Sequence, residues 1–164
     1  MPEDVEIDSE TLIKLLQGAY VAIDGLWFLG VEKNLGFDKA FEIDLEVWKS
    51  WGKILIKRIK RNLGIEGDDM SSIIKILKII YLIEGSKHEV VKATNKSAVI
   101  RVSRCHWYDN LKNAGRENVV PCEDVDAALF PAWAEALNPK ISIKQTRSIP
   151  RGDELCEFTL EILD

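Results

Sequence analysis

Glu89-Val90-Val91-Lys92-Ala93-Thr94-Asn95-Lys96-Ser97-Ala98-Val99-Ile100-Arg101-Val102 is the stretch that decides the fold class. Two short runs rich in β-branched residues, 89–93 and 98–102, flank the polar Thr94-Asn95-Lys96. That pattern predicts a β-hairpin. Strand alternation puts Ala98, Ile100 and Val102 on one face, and Val99, Arg101 and Ser103 on the other.

Upstream of this hairpin the chain reads as helix. Asp8 or Ser9 caps a start, and Leu12, Leu15, Leu16, Ala19, Ile23, Leu26 and Val31 recur at helical steps. The run continues to about Asn34 and stops at Gly36. Gly25 and Gly30 lie inside it, where glycine costs about 1 kcal/mol relative to alanine, so close contact or a bend is expected there. Asp38 is read as the cap of a second helix carrying Phe41, Leu45, Trp48, Ile54 or Leu55, and Ile59, which ends at Asn62-Leu63-Gly64. Asp68 or Asp69 opens a third, with Ile73, Ile74, Leu77, Ile80 and Tyr81, closed by Gly85.

Downstream, Cys105 to about Ala114 forms a short helix stopped by Gly115. Glu123 to Leu137 forms another, which Pro131 bends or divides. Asn138-Pro139 forces an extended exit. Ile141 and Ile143 alternate with polar residues, as do Cys156, Phe158, Leu160 and Ile162, with Pro150-Arg151-Gly152-Asp153 as a turn signal between. The order α-α-α-β-β-α-α-β-β predicts an α+β fold: N-terminal helices packed on a four-stranded antiparallel sheet, with a helical insertion between two hairpins. We expect one domain over 1–164, helical over 1–85 and ββααββ over 86–164.

Composition narrows the function classes. With 164 residues, 46% hydrophobic and 30% charged, the chain is long enough and apolar enough for a real core. A net charge of −5 leaves no electrostatic footprint for nucleic acid. The one basic cluster, Lys53, Lys57, Arg58, Lys60 and Arg61, has helical spacing and reads as a solvated helix face. Met1-Pro2-Glu3-Asp4 lacks the basic start of a signal peptide, and no apolar run approaches membrane-span length, the most hydrophobic stretch, Ile73 to Ile83, being interrupted by Lys75 and Lys78. A cytoplasmic protein with no membrane partner is the expectation.

The chemistry concentrates in three cysteines, an odd number that cannot all pair within the chain. In a reducing compartment free or metal-bound thiols are favoured over disulfides. Cys105 stands at a strand-to-helix junction. Cys122 follows Pro121 at a helix start, where the helix field lowers a thiol's pKa. Cys156 shares the core face of the last strand. Met together, Cys105, Cys122 and Cys156 would suit zinc or another thiophilic metal, although no Cys-x-x-Cys pair is present. His106 is read first as a surface or structural imidazole, with an acid/base or ligand-binding role as the alternative. Asp24, beside Trp27 and Phe28 in a nearly continuous apolar run, is read first as a capped or solvent-reaching carboxylate, and otherwise as paired inside the fold or lining a cavity. That helix is expected to be buried on several sides. A phosphate-binding glycine loop, a nucleophile elbow and a His-Glu-x-x-His pair are all missing from the sequence.

The run Asp24 to Glu32, Cys105, Pro121-Cys122, Asn138-Pro139-Lys140-Ile141 and Cys156 resemble an uncharacterised prokaryotic family found in archaea and anaerobic bacteria. Cys122-Glu123-Asp124 and Gly152-Asp153-Glu154-Leu155-Cys156-Glu157-Phe158 resemble the L-2-amino-thiazoline-4-carboxylic acid hydrolase family, with Pro121 where that pattern has an aromatic residue. That family is similar to the 4-vinyl reductase domain, an α+β module for small hydrophobic or metal-containing ligands. The resemblance implies a small-molecule hydrolase acting on a C–N or C–S bond. In it Cys105 or Cys122 is nucleophile or metal ligand, Asp124 acts as acid/base or orienting group, and Cys156 completes the site. The alternative is a non-catalytic ligand-binding or sensory module in which Asp24, Trp27, Phe28 and His106 line the ligand pocket. A purely structural interaction domain, docking through the basic face of the second helix, is the third reading. A homodimer fits the domain type.

Overall fold

The computed structural model describes residues 6–164; the acidic start read above lies outside them. Helix α1 (Ser9–Leu35) begins at Asp8, whose carboxylate accepts the Thr11 amide at 2.9 Å and the Thr11 hydroxyl at 2.7 Å. This is a side-chain N-cap satisfying backbone donors that the helix leaves free. α1 and α2 (Phe37–Leu63) are separated by Gly36 alone, at φ 84°. That left-handed backbone suits a residue without Cβ. The expected Asp38 cap is therefore corrected: a one-residue connection leaves no separate capping position, and Asp38 lies in the first turn of α2, where its charge complements the helix dipole. α2 turns back along α1, with Tyr20 packed on Trp48 and Trp51 at ring centroid distances of 5.9 Å each.

Helix α3 (Met70–Ile83) is capped by Asp69, which accepts the amides of Ser71 and Ser72 at 2.9 and 3.1 Å. Gly85, at φ 73°, turns the chain into β1 (Lys87–Ala93), followed by β2 (Ser97–Arg104). α4 (His106–Asn113) and α5 (Cys122–Leu137) form the insertion, and α5 runs unbroken through Pro131. β3 (Ile141–Arg147), a single 3-10 turn (Ile149–Arg151) and β4 (Cys156–Ile162) complete the chain. The sheet is antiparallel in the order β1-β2-β4-β3, so the last strand inserts beside β2 at the sheet centre. The α+β architecture matches the sequence expectation.

The core lies between the sheet and α2, α3 and α5. Ala98, Ile100 and Val102 of β2 are buried in alternation, opposite Leu160, Phe158 and Cys156 of β4. Ile56 and Ile59 of α2, Ile73, Ile76 and Ile80 of α3, and Leu129, Trp133 and Leu137 of α5 close over them. Burial of this kind stabilises by roughly 1.5–3 kcal/mol per large side chain.

α1 departs from expectation. Only Val21 of this helix is buried, while Leu12, Leu16, Ile23 and Trp27 form an exposed stripe at helical spacing. α1 packs on α2 beside this stripe, through Tyr20, and the stripe itself stays exposed among the described residues. The helix is also 27 residues long with an 18-residue window of mean hydropathy 1.4, long and apolar enough to cross a membrane by length and composition. This corrects the reading that no segment reaches that length. Uninterrupted runs miss it, because Asp24 divides the apolar stretch.

One close approach sets the spacing of α2 and α5. A Cβ on Gly52 would lie 1.9 Å from Trp133 Nε1, whose indole donates to the Trp48 carbonyl at 3.4 Å. Gly52→Ala forces α5 outward or the indole out of its site. We expect a loss of about 1–3 kcal/mol, as for overpacked cores, lowering Tm by roughly 3–10 °C in a chain of this size. Thermal unfolding followed by circular dichroism measures it.

Candidate ligand cavity

Sheet register brings the cysteines together. β2 leaves the core at Val102, directly opposite Cys156 at the start of β4. Three residues past Val102, Cys105 occupies the N-cap position of α4 in extended backbone. Cys122 opens α5 after Pro121. All three thiols are free and line one cavity of about 560 Å³ between the helices and the sheet. The Cys156 sulfur accepts the Ile149 amide at 3.4 Å.

The wall is predominantly apolar and aromatic. Phe28 of α1, Trp48 of α2, Trp107 of α4, Trp133 of α5 and Phe158 of β4 all contribute to it. Trp48 and Trp107 meet edge to face at 4.8 Å, and Phe130 meets Phe158 in the same way at 5.3 Å. Set into this wall are four carboxyls, Asp24, Asp44, Glu84 and Asp126. Arg116 is the one Lys or Arg side chain in the lining among the described residues, and it is bound to Glu32 at 2.8 Å.

Burial dominates the electrostatics of the four carboxyls and the three thiols here. It pushes Glu84 up to about 8, with the nearby Asp126 carboxyl adding to the effect, and pushes Asp126 up to about 7, with Glu123 adding. Burial also raises Asp44 to about 7, with Asp24 adding, and Asp24 to about 6; the Trp48 indole partly offsets both. Burial drives Cys105 to about 12 and raises Cys122 and Cys156 as well. The field at the start of α5 therefore does not make Cys122 a thiolate: burial and the neighbouring Asp126 outweigh it.

The structure sorts the residues singled out from sequence. Cys105, Cys122, Cys156 and Asp24 meet at this cavity, as does Phe28. Trp27 is 55% exposed and faces a separate cleft of about 270 Å³, which shares Asp24, Asp44 and Trp48 with the main cavity. Asp124 is exposed and outside the lining. His106 lies behind the wall, with Nδ1 3.0 Å from the Glu84 carbonyl oxygen; that acceptor fixes the proton on Nδ1. Among the described residues no group of three or more His, Cys, Asp or Glu side chains is arranged to hold a metal ion.

Asp44, Glu84 and Asp126 were not legible as site residues, although two left a signal. Asp126 follows Cys122 by four residues and precedes Phe130 by four, which places a carboxyl on the apolar face of α5. Asp44 bears the same relation to Trp48 on α2. Glu84 reads as an ordinary charge at a helix end.

With the geometry in view, the chain belongs to a family of unknown function (DUF6125), whose profile matches residues 6–158. The likeness to the thiazoline hydrolase family and the 4-vinyl reductase domain gains no support from these comparisons. No curated protein matches. Among solved structures, the chain is similar in fold to the phenol-responsive sensory domain of the transcription activator PoxR with phenol. The TM-score is 0.60 at 13% identity, covering 87% of this chain and 73% of that one. It is similar also to a trafficking protein particle complex subunit 3 from Naegleria fowleri covalently bound to palmitic acid, at TM-score 0.59 and 12% identity, covering 92% of this chain and 97% of that one.

The raised carboxyls make stability depend on pH with a defined sign. Glu84, Asp126 and Asp44 hold protons in the folded state up to pH 7–8, well above their ordinary values of 4.5, 3.8 and 3.8. Between those limits the folded chain binds more protons than the unfolded chain, so unfolding free energy falls as pH rises. Tm is expected to be higher at about pH 5.5 than at about pH 8.5, and Glu84→Gln to flatten the slope. Differential scanning calorimetry across that range checks both.

Proposed function

We propose that this protein is a small-molecule-binding domain of the sensory type, whose ligand occupies the cavity walled by Trp48, Trp107, Phe130 and Asp126. The observation that carries the reading is the cavity itself. Its volume of about 560 Å³ lies within the range of ligand sites, and a few polar groups converge in an otherwise apolar and aromatic wall. The fold likeness to a phenol-responsive sensory domain supports it. A thiol-nucleophile hydrolase has less support, since burial holds the Cys105 thiol protonated at neutral pH and Asp124 stands away from the cavity. The zinc expectation has no arranged donor set to build on among the described residues.

Thermal-shift titration with phenols, aromatic amines and medium-chain fatty acids tests the reading. At least one class is expected to raise Tm, by the stabilisation that ligand excess imposes on a folded state. Val125→Trp, which fills the cavity from α5, is expected to abolish that rise. A panel without any effect, together with a native mass equal to that of the bare chain, overturns it.

The exposed stripe of α1 supports a homodimer. Leu12, Leu16, Ile23 and Trp27 present an exposed apolar strip along α1, with Ile23 and Trp27 bordering the cleft beside α2, the kind of surface monomers seldom leave open. A second copy of the chain would cover this strip with its own under two-fold symmetry. Sedimentation velocity is expected to give a dimer for the wild-type chain and a monomer for Leu16→Glu. A wild-type monomer that floats with lipid vesicles would assign the strip to a membrane instead.

A further inference from the structure

We propose that the ligand of this cavity is an organic cation, an amine or quaternary ammonium with an apolar body, whose head docks at the Glu84 and Asp126 carboxyls. The inference rests on the reading of the cavity as a ligand site and names the class of ligand. Glu84 is 9% exposed and lines the cavity. Among the described residues neither its carboxyl nor that of Asp126 has a hydrogen-bond or ion-pair partner, in contrast to Glu32, which takes Arg116. Asp24 of α1 and Asp44 of α2 add two further carboxyls to the lining.

A buried carboxyl without a counter-ion is a standing cost that a protein meets either by protonating it or by receiving a cation from outside. The neighbours of the pair supply no cation. α1 contributes Tyr20, and α3 contributes Tyr81, with the His88 ring tilted against it at 5.2 Å. The thiols of Cys105 and Cys156 and the acidic N-terminal turn of α5, with Cys122 and Glu123, surround the rest. His106 binds the Glu84 main-chain oxygen and lies outside the lining. The wall instead offers indole and phenol faces, which attract a desolvated cation through their quadrupoles. The same arrangement repels a carboxylate or phosphate ligand.

A second consequence is linkage to pH. A cation seated here draws the protons off Glu84 and Asp126, so cation affinity rises as pH rises through the range in which those groups titrate. A permanently charged probe reports this without titrating itself.

Isothermal titration with three matched probes decides the matter: benzyltrimethylammonium, its uncharged isostere neopentylbenzene, and 3-phenylpropionate. At about pH 8.5 the ammonium is expected to bind at least about tenfold more tightly than the isostere, and the preference to shrink by several-fold at about pH 6. The double variant Glu84→Gln/Asp126→Asn is expected to lose the preference for the ammonium over neopentylbenzene. Equal or tighter binding of the isostere or of phenylpropionate by the wild-type chain overturns the cation assignment and leaves the ligand-binding reading standing. A preference that survives in the double variant, or that does not change with pH in the wild type, also overturns it. Failure of all three probes and of the wider thermal-shift panel removes both readings together.

Discussion

The pairing of β2 with β4 is the constraint on which the rest of the molecule depends. These strands are far apart in sequence, yet Ala98 faces Leu160, Ile100 faces Phe158 and Val102 faces Cys156. Because the pair is antiparallel, the end of β2 and the start of β4 lie at the same edge of the sheet. Cys105 and Cys156 therefore come together without any local sequence relation. The chain between them must arch over that edge, and α5 arrives with Cys122 and Asp126 on the inner side. The cavity is thus a product of topology, closed above by α1 and α2.

Its electrostatics follow from the same enclosure. Carboxyls and thiols placed in a hydrocarbon and indole lining cannot ionise at their ordinary values. The thiols become poor nucleophiles, while the carboxyls stay close enough to neutrality to change charge when their surroundings change. A site built this way is better suited to recognition than to covalent attack. It also keeps the folded state below its attainable stability, a familiar compromise at functional sites.

Much of the fold was legible because single residues or short periods dictate it. Asp8 and Asp69 cap helices by side-chain chemistry, and Gly85 and Gly115 stop them with positive φ. The alternation Cys156, Phe158, Leu160 gave the core face of β4 directly. Other features depend on contacts that local sequence does not encode. The order β1-β2-β4-β3 is one of them. The open face of α1 is another: an apolar stripe reads the same whether a neighbouring helix, a second chain or solvent lies beyond it. At the site, Asp124 and Asp126 differ by two positions on α5. About 200° of helical rotation separates an exposed carboxyl from one in the cavity wall. Spacing from Cys122 distinguishes them only once the inward face of α5 is known.

The absence of a side chain at position 52 reaches further than helix packing. Trp133 rests on that bare backbone, and Leu129, Asp126 and Cys122 follow it along α5 toward the cavity. A lineage that enlarges residue 52 has to shrink residue 133 or displace the whole of α5, and displacement carries the acid and the sulfur with it. The internal dimensions of the chamber are in this sense gauged by a hydrogen atom two helical turns from its nearest reactive group.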